Sequence, residues 1–139
     1  MYFLRTEECF DSAHFLKGYD GKCSNLHGHR WKVVVEINRE NLNEEGPKRG
    51  MIIDFTDIKD ALKELCDAFD HQFIIETGSL KEKTKEALLE EGFKIIELPM
   101  VPTAENFAKY FYDCMKEKEF PVHRVEVYET PNNFAAYEE

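Results

Sequence analysis

Cys23-Ser24-Asn25-Leu26-His27-Gly28-His29-Arg30-Trp31-Lys32-Val33-Val34-Val35-Glu36-Ile37 passes from a polar loop into a strand. Trp31, Val33, Val35 and Ile37 alternate with Lys32, Val34 and Glu36, the period-two pattern of a half-buried strand over 29–39. Residues 2–15 read as an earlier strand. Between them Lys17 to Asn25 carries Gly18, Asp20, Gly21 and Asn25 and reads as a loop, so the two strands should pair as a hairpin.

That hairpin concentrates imidazoles. His27 and His29 lie two apart and point to one face, and His14, at the end of the first strand, can lie opposite them. Gly28 between them is expected to let the backbone approach an ion. Neutral imidazole is a usual zinc ligand, and three leave a fourth tetrahedral position for water or substrate, as in catalytic rather than structural sites. Against this stands the plain reading of a lone histidine as a satisfied strand residue. Cys23, four residues before His27, is either a fourth ligand, which would close the site, or a proton acceptor whose thiol is activated by a nearby cation and imidazole.

Outward from the hairpin, 41–50 is a polar loop, and Asp54 or Thr56 caps a helix whose Ile58, Leu62, Leu65, Cys66 and Phe69 share a face. It ends before Asp70-His71, an imidazole beside a carboxylate that serves either as a helix-end cap or as a proton relay. Residues 79–91 form a charged helical run with a thin apolar stripe, expected as a peripheral insertion. Phe93 to Leu98 is short and apolar. Thr103 caps a further helix presenting Phe107, Tyr110, Phe111, Cys114 and Met115, and Val122 to Thr130 alternates as a strand before a final short one over 135–138. In that alternation Glu129 shares the face of Val125 and Val127, directing a carboxylate inward unless it is merely an exposed strand end. Buried, it would need a partner such as two adjacent ring N–H donors. The order implies one α+β domain over 1–139, an antiparallel sheet covered on one face by helices.

The chain has 139 residues, 42% of them apolar, enough for a single core. Its net charge of -10 disfavours nucleic acid as a partner. No apolar run approaches the roughly 20 residues that span a bilayer, and the N-terminus lacks a signal-peptide pattern, so no membrane association and a cytoplasmic location are expected. Cys9, Cys23, Cys66 and Cys114 form no CxxC pair; Cys9, Cys66 and Cys114 are expected to be buried structural residues.

Six elements in order complete the picture: Phe10-Asp11-Ser12-Ala13-His14, Cys23 through His29, Gly50-Met51-Ile52-Ile53-Asp54-Phe55, Asp70-His71, Pro102-Thr103-Ala104-Glu105-Asn106 and Val125-Glu126-Val127-Tyr128-Glu129-Thr130. This series resembles the 6-pyruvoyl- and 6-carboxytetrahydropterin synthases over nearly the whole chain. The resemblance implies the tetrahydrobiopterin-biosynthesis fold (T-fold), a four-stranded antiparallel sheet with two main helices on one face. It also implies trimers that close into a barrel of sheets and stack into a homohexamer, with active sites between subunits. It assigns Zn2+ to His14, His27 and His29, the catalytic cysteine to Cys23, the relay to Asp70 and His71, and the pterin anchor to Glu129, with Thr103 and Glu105 near the pterin. The three residues between Cys23 and His27 resemble the queuosine-pathway branch, which makes 6-carboxytetrahydropterin from 7,8-dihydroneopterin triphosphate; the 6-pyruvoyl branch usually has a longer spacing. A 6-pyruvoyltetrahydropterin synthase and a non-catalytic zinc- and pterin-binding protein are the alternatives. Two departures stand out: Gln72-Phe73-Ile74-Ile75 replaces the family's Leu-Asn pair after the relay, and the 79–91 run is long.

Overall fold

The computed structural model describes all residues, Met1–Glu139. Strand β1 (Tyr2–His14) and strand β2 (His27–Arg39) pair antiparallel along their full length without a bulge, Tyr2 opposite Arg39 and His14 opposite His27. Trp31, Val33, Val35 and Ile37 are completely buried, each worth about 1.5–3 kcal/mol of hydrophobic stabilisation. Val34, on the opposite face, is also buried.

Helices α1 (Phe55–Phe69) and α3 (Ala104–Glu117) cover the Trp31 face. Asp54 caps α1 by accepting from the Thr56 N–H at 2.8 Å, and Ile58, Leu62, Cys66 and Phe69 form its buried stripe. Thr103 caps α3 through the Asn106 N–H at 3.2 Å, and Phe107, Phe111 and Met115 line its inner face. Phe10, Phe69, Phe107 and Phe111 interlock around Trp31, whose ring centroid lies 4.9 Å from that of Phe107.

The sheet has six strands in the order β4-β3-β1-β2-β5-β6, not the expected four. Strands β1, β2, β5 (Val122–Thr130) and β6 (Asn133–Glu138) form the antiparallel part. Added to it are β3 (Gln72–Glu76), parallel to β1 at Ser12 and Ala13, and β4 (Ile95–Leu98), parallel to β3. Parallel neighbours need a crossover, and helix α2 (Glu82–Glu90) provides it. The charged run is therefore the outer helix of a β-α-β unit. It is peripheral, as expected, since no residue of α2 is buried. Strands of five and four residues, each with only three apolar side chains, carry no usable periodicity, which is why Gln72–Glu76 and Ile95–Leu98 do not announce themselves.

Two further details position the site. Pairing of β2 with β5 stops at Lys32 opposite Tyr128, so β2 from His27 to Trp31 has β1 as its only neighbour. Of the cysteines expected to be buried, Cys66 is, whereas Cys9 and Cys114 are half-buried. Cys9 falls on the face away from the helices, opposite Lys32, where little covers it. No helix is long and apolar enough to cross a membrane.

The β3 assignment has a direct check. Ile74 is fully buried in the core while Leu89 of α2 is exposed. Ile74→Ala should lose about 2–5 kcal/mol in urea denaturation, and Leu89→Ala should stay within about 0.5 kcal/mol. Equal effects would place 72–76 outside the core.

Candidate active site

Register builds the site. Directly across the hairpin His14 faces His27, and Ser12 faces His29, so the three imidazoles converge on the helix-covered face. Their ligand atoms all lie within 4.8 Å of one another, and no other group of His, Cys, Asp or Glu does the same for a metal. His14 Nδ1 lies 2.8 Å from the Pro102 carbonyl and His27 Nδ1 2.6 Å from the Asn25 carbonyl. Carbonyls only accept, so both rings carry their proton on Nδ1 and offer a lone pair at Nε2.

Those two Nε2 atoms face each other at 3.0 Å. Lone pairs held this way repel, and a cation between them removes the repulsion; Zn–N bonds of about 2.0–2.1 Å place tetrahedral ligand nitrogens about 3.3 Å apart. His29 Nε2 is buried without a hydrogen bond, since Glu129 Oε1, though 3.4 Å away, lies off the donor direction. Burial pushes the His14 pKa down to about 4, and burial also lowers that of His29, against the opposing pull of Glu129. Such rings stay neutral, the state a metal requires. The donor set thus fits a metal ion.

Beneath the cage, the Trp31 ring stands nearly perpendicular to His14 and His29, centroids 5.1 and 5.3 Å away. It ties the ligands to the aromatic core. Gly28 has a different role from the one expected. It is exposed and lies on the other face from the imidazoles, so its lack of a side chain makes no room for an ion between them.

Cys23 sits in a short 3-10 turn, Lys22–Ser24, half-buried and outside the cluster of ligand atoms. Its carbonyl accepts from the Leu16 N–H at 2.9 Å, which closes the loop. Asp70 and His71 form a dyad, Oδ2 to Nδ1 2.9 Å. The Asp11 N–H donates to Asp70 Oδ1 at 2.9 Å and the Asp11 carbonyl accepts from the His71 N–H at 2.7 Å. These bonds hold His71 at a φ of 58°, a left-handed conformation uncommon outside glycine. The Asp11 N–H, and then the His71 imidazole, hold the Asp70 carboxyl below its ordinary pKa. His71 lines a cleft with Ala13, Leu26, Phe73, Leu88 and Phe93, and Cys23 is not part of it.

Glu129 is directed inward as the alternation requires, and with Glu105 it lines a small cleft beside Asn133 and Phe134. Thr103 is committed to capping α3. The residues missed in the sequence are the ones that act through their backbone: Pro102, Asn25 and Asp11. Their side chains gave no signal of this; Asn106 donates to the Val101 carbonyl at 2.9 Å in the loop that carries Pro102.

The family model for 6-pyruvoyl tetrahydropterin synthase matches residues 3–139. The chain belongs to that family. It is 37% identical to the 6-carboxy-5,6,7,8-tetrahydropterin synthase of Haemophilus influenzae over 142 residues, covering 100% of both chains. It is 36% identical to the enzyme of that name in Rickettsia bellii, covering 90% of this chain and 91% of the relative. Among solved structures, an uncharacterised protein of Wolinella succinogenes superimposes with a TM-score of 0.80 at 21% identity, covering 99% of this chain and 98% of the other. The 6-pyruvoyl tetrahydropterin synthase of Plasmodium falciparum gives 0.71 at 20%, covering 99% and 97%. These two likenesses establish the fold. Family and named relatives together make the chain an enzyme, a lyase.

The sole tryptophan lies against two of the imidazoles. Adding Zn2+ to chelator-treated protein should therefore change Trp31 emission and saturate at one ion per chain. His27→Ala should weaken binding by more than the roughly 10–100-fold that loss of an outer-shell partner costs; unchanged affinity would remove His27 from the ligand set. Acid should destabilise the metal-free protein through His14. Its folded pKa, about 4, is below the ordinary 6.5. The unfolded chain binds the proton first, so this stability is complete above the higher value and lost as pH falls toward the lower, about 3 kcal/mol in all. His14→Gln should show a smaller acid loss in urea melts; an equal loss would refute the assignment.

Proposed function

We propose that the chain converts 7,8-dihydroneopterin triphosphate and water to 6-carboxy-5,6,7,8-tetrahydropterin, acetaldehyde and triphosphate, as a zinc enzyme of 7-deazaguanine (queuosine) biosynthesis. The observation that carries this reading is a cage of three imidazoles, with no thiolate or carboxylate closing it, set beside an inward carboxylate at 3.4 Å. An open metal position suits catalysis, and the carboxylate suits a ring with adjacent N–H donors. The names of the Haemophilus and Rickettsia relatives supply the 6-carboxy product.

The roles follow from placement. Glu129 accepts two N–H bonds from the pterin and thereby orients it, with Glu105 as a second carboxylate in the same cleft. Thr103 acts on that cleft through α3, whose first turn carries Glu105. Zn2+, held by His14, His27 and His29, supplies Lewis acidity toward the side-chain hydroxyls. Cys23 removes a side-chain proton. Asp70 holds the His71 Nδ1 proton, leaving Nε2 free to accept or return one at the substrate.

Cys23 does not line the His71 cleft, so we assign the relay and the thiol of one site to different copies in a homohexamer of stacked trimers. Exposed Tyr2, Phe3, Met51 and Phe55 line a largely apolar cleft of about 350 Å3, surface that association would cover.

Mass analysis of products from purified protein and dihydroneopterin triphosphate tests the reading. A 6-carboxy product with acetaldehyde is expected. A product retaining all three side-chain carbons would make the enzyme a 6-pyruvoyltetrahydropterin synthase, and binding without turnover would make it a pterin-binding protein. Cys23→Ala should keep its metal and lose about 10²–10⁴-fold in turnover; loss of metal would make the thiol a ligand. Glu129→Gln should weaken binding of a pterin product by about 1.5–3 kcal/mol with metal content unchanged. Equal dissociation constants would take Glu129 out of the site.

A further inference from the structure

Where pairing between β2 and β5 stops at Lys32 and Tyr128, the sheet opens. Gly28 to Arg30 on one side and Glu129 to Pro131 on the other border a cleft of about 420 Å3, within the range of small-ligand sites, about 300–1,000 Å3. Side chains alternate between faces along each strand, so this cleft collects residues that a continuous sheet would keep apart. His29 and Glu129 come from the helix-covered face. Arg30, Lys32 and Tyr128 come from the other.

The second group is cationic in a chain of net charge -10. Arg30 rests 3.2 Å from Asp11 Oδ2, and Lys32 lies over the Tyr128 ring at 4.2 Å with Glu7 at 3.9 Å. The side chains of the Arg30–Asp11 pair are 70% and 46% exposed, those of Lys32 and Glu7 35% and 58%. Exposed pairs of this kind are weak and exchange readily for a stronger anion. The two cations stand at alternate positions of one strand, a spacing suited to a chain of phosphates rather than to one carboxylate. Arg supplies a forked donor and Lys a point charge.

We propose that this opening is the anion subsite of the catalytic pocket, through which a ligand's polyphosphate tail passes from the His29–Glu129 side of the sheet to Arg30 and Lys32. The inference rests on the proposed reading of the site, since it requires a substrate with both a ring and a phosphate tail. Charge sets the direction. Glu129 repels phosphate and attracts ring N–H donors, while Arg30 and Lys32 do the reverse, so only one orientation satisfies both ends. The hydroxylated carbons between ring and tail then fall at His29, beside the metal cage.

Inorganic triphosphate is the probe. Calorimetric titration of the zinc-loaded protein should show saturable, salt-sensitive binding, weakened about five- to tenfold in Lys32→Gln and in Arg30→Gln. Lys116→Gln, at the C-terminal end of α3 where the lysine pairs with Glu139, should bind as the wild type does. Lys32→Gln is the decisive variant, because Arg30 also contacts Asp11, which holds the relay. An unchanged dissociation constant in Lys32→Gln, no saturable binding by the wild type, or loss of binding in Lys116→Gln would each overturn the proposal. The two readings fail separately. Triphosphate binding through Lys32 without formation of a carboxypterin would leave the subsite and remove the reaction, whereas turnover with an unchanged KM in Lys32→Gln would do the opposite.

Discussion

The site depends on the register of one hairpin. His14 meets His27, and Ser12 meets His29, because β1 and β2 pair over their whole length without a bulge. A slip of one residue would turn His27 and His29 to the face that carries Arg30 and Lys32 and would expose Trp31 and Val33 with them. Hydrophobic burial and metal-site geometry are thus enforced by the same pairing. The completely buried Trp31, Val33, Val35 and Ile37 hold the register, and the imidazoles continue the same alternation beyond the core.

What the register brings together, the backbone of distant segments orients. The Pro102 carbonyl fixes the proton of His14 on Nδ1, and the Asn25 carbonyl does so for His27. The first lies in the loop just ahead of α3, so docking of that helix on the sheet delivers the acceptor to the ring. Folding of the core and preparation of the ligands are one event. His14 accordingly sits almost wholly buried, its Nδ1 proton held by Pro102 and its Nε2 turned to His27, and burial is what disfavours a charged imidazolium there.

Much of this was legible in the sequence, and the reason is periodicity. The hairpin, both main helices, their caps and the inward turn of Glu129 follow from alternation or helical spacing over long stretches, as did convergence of the three histidines. Gln72–Glu76 and Ile95–Leu98 are too short to show a period, and the charged surface of α2 disguises a crossover helix as an insertion. Contacts made by carbonyls carry no side-chain signature at all, so Pro102, Asn25 and Asp11 could not be picked out by residue type. The opening between β2 and β5 is equally silent, because it is the place where two strands stop pairing rather than a property of either.

Strand order also constrains how the chemistry is shared. Asp70 and His71 enter the sheet at β3, on the far side of β1, while Glu129 and the opening lie at β5, on the far side of β2. Three strand spacings of about 4.8 Å, roughly 14 Å in all, separate β3 from β5. General acid–base catalysis needs hydrogen-bond contact with the reacting atom, or one intervening water. A ring held at Glu129 with its side chain at His29 therefore leaves the dyad of the same chain beyond the adjacent strand. On the proposed reading, in which Glu129 anchors the ring, a second copy would bring its own Asp70 and His71 to the cage and so complete the proton-transferring groups around one ligand.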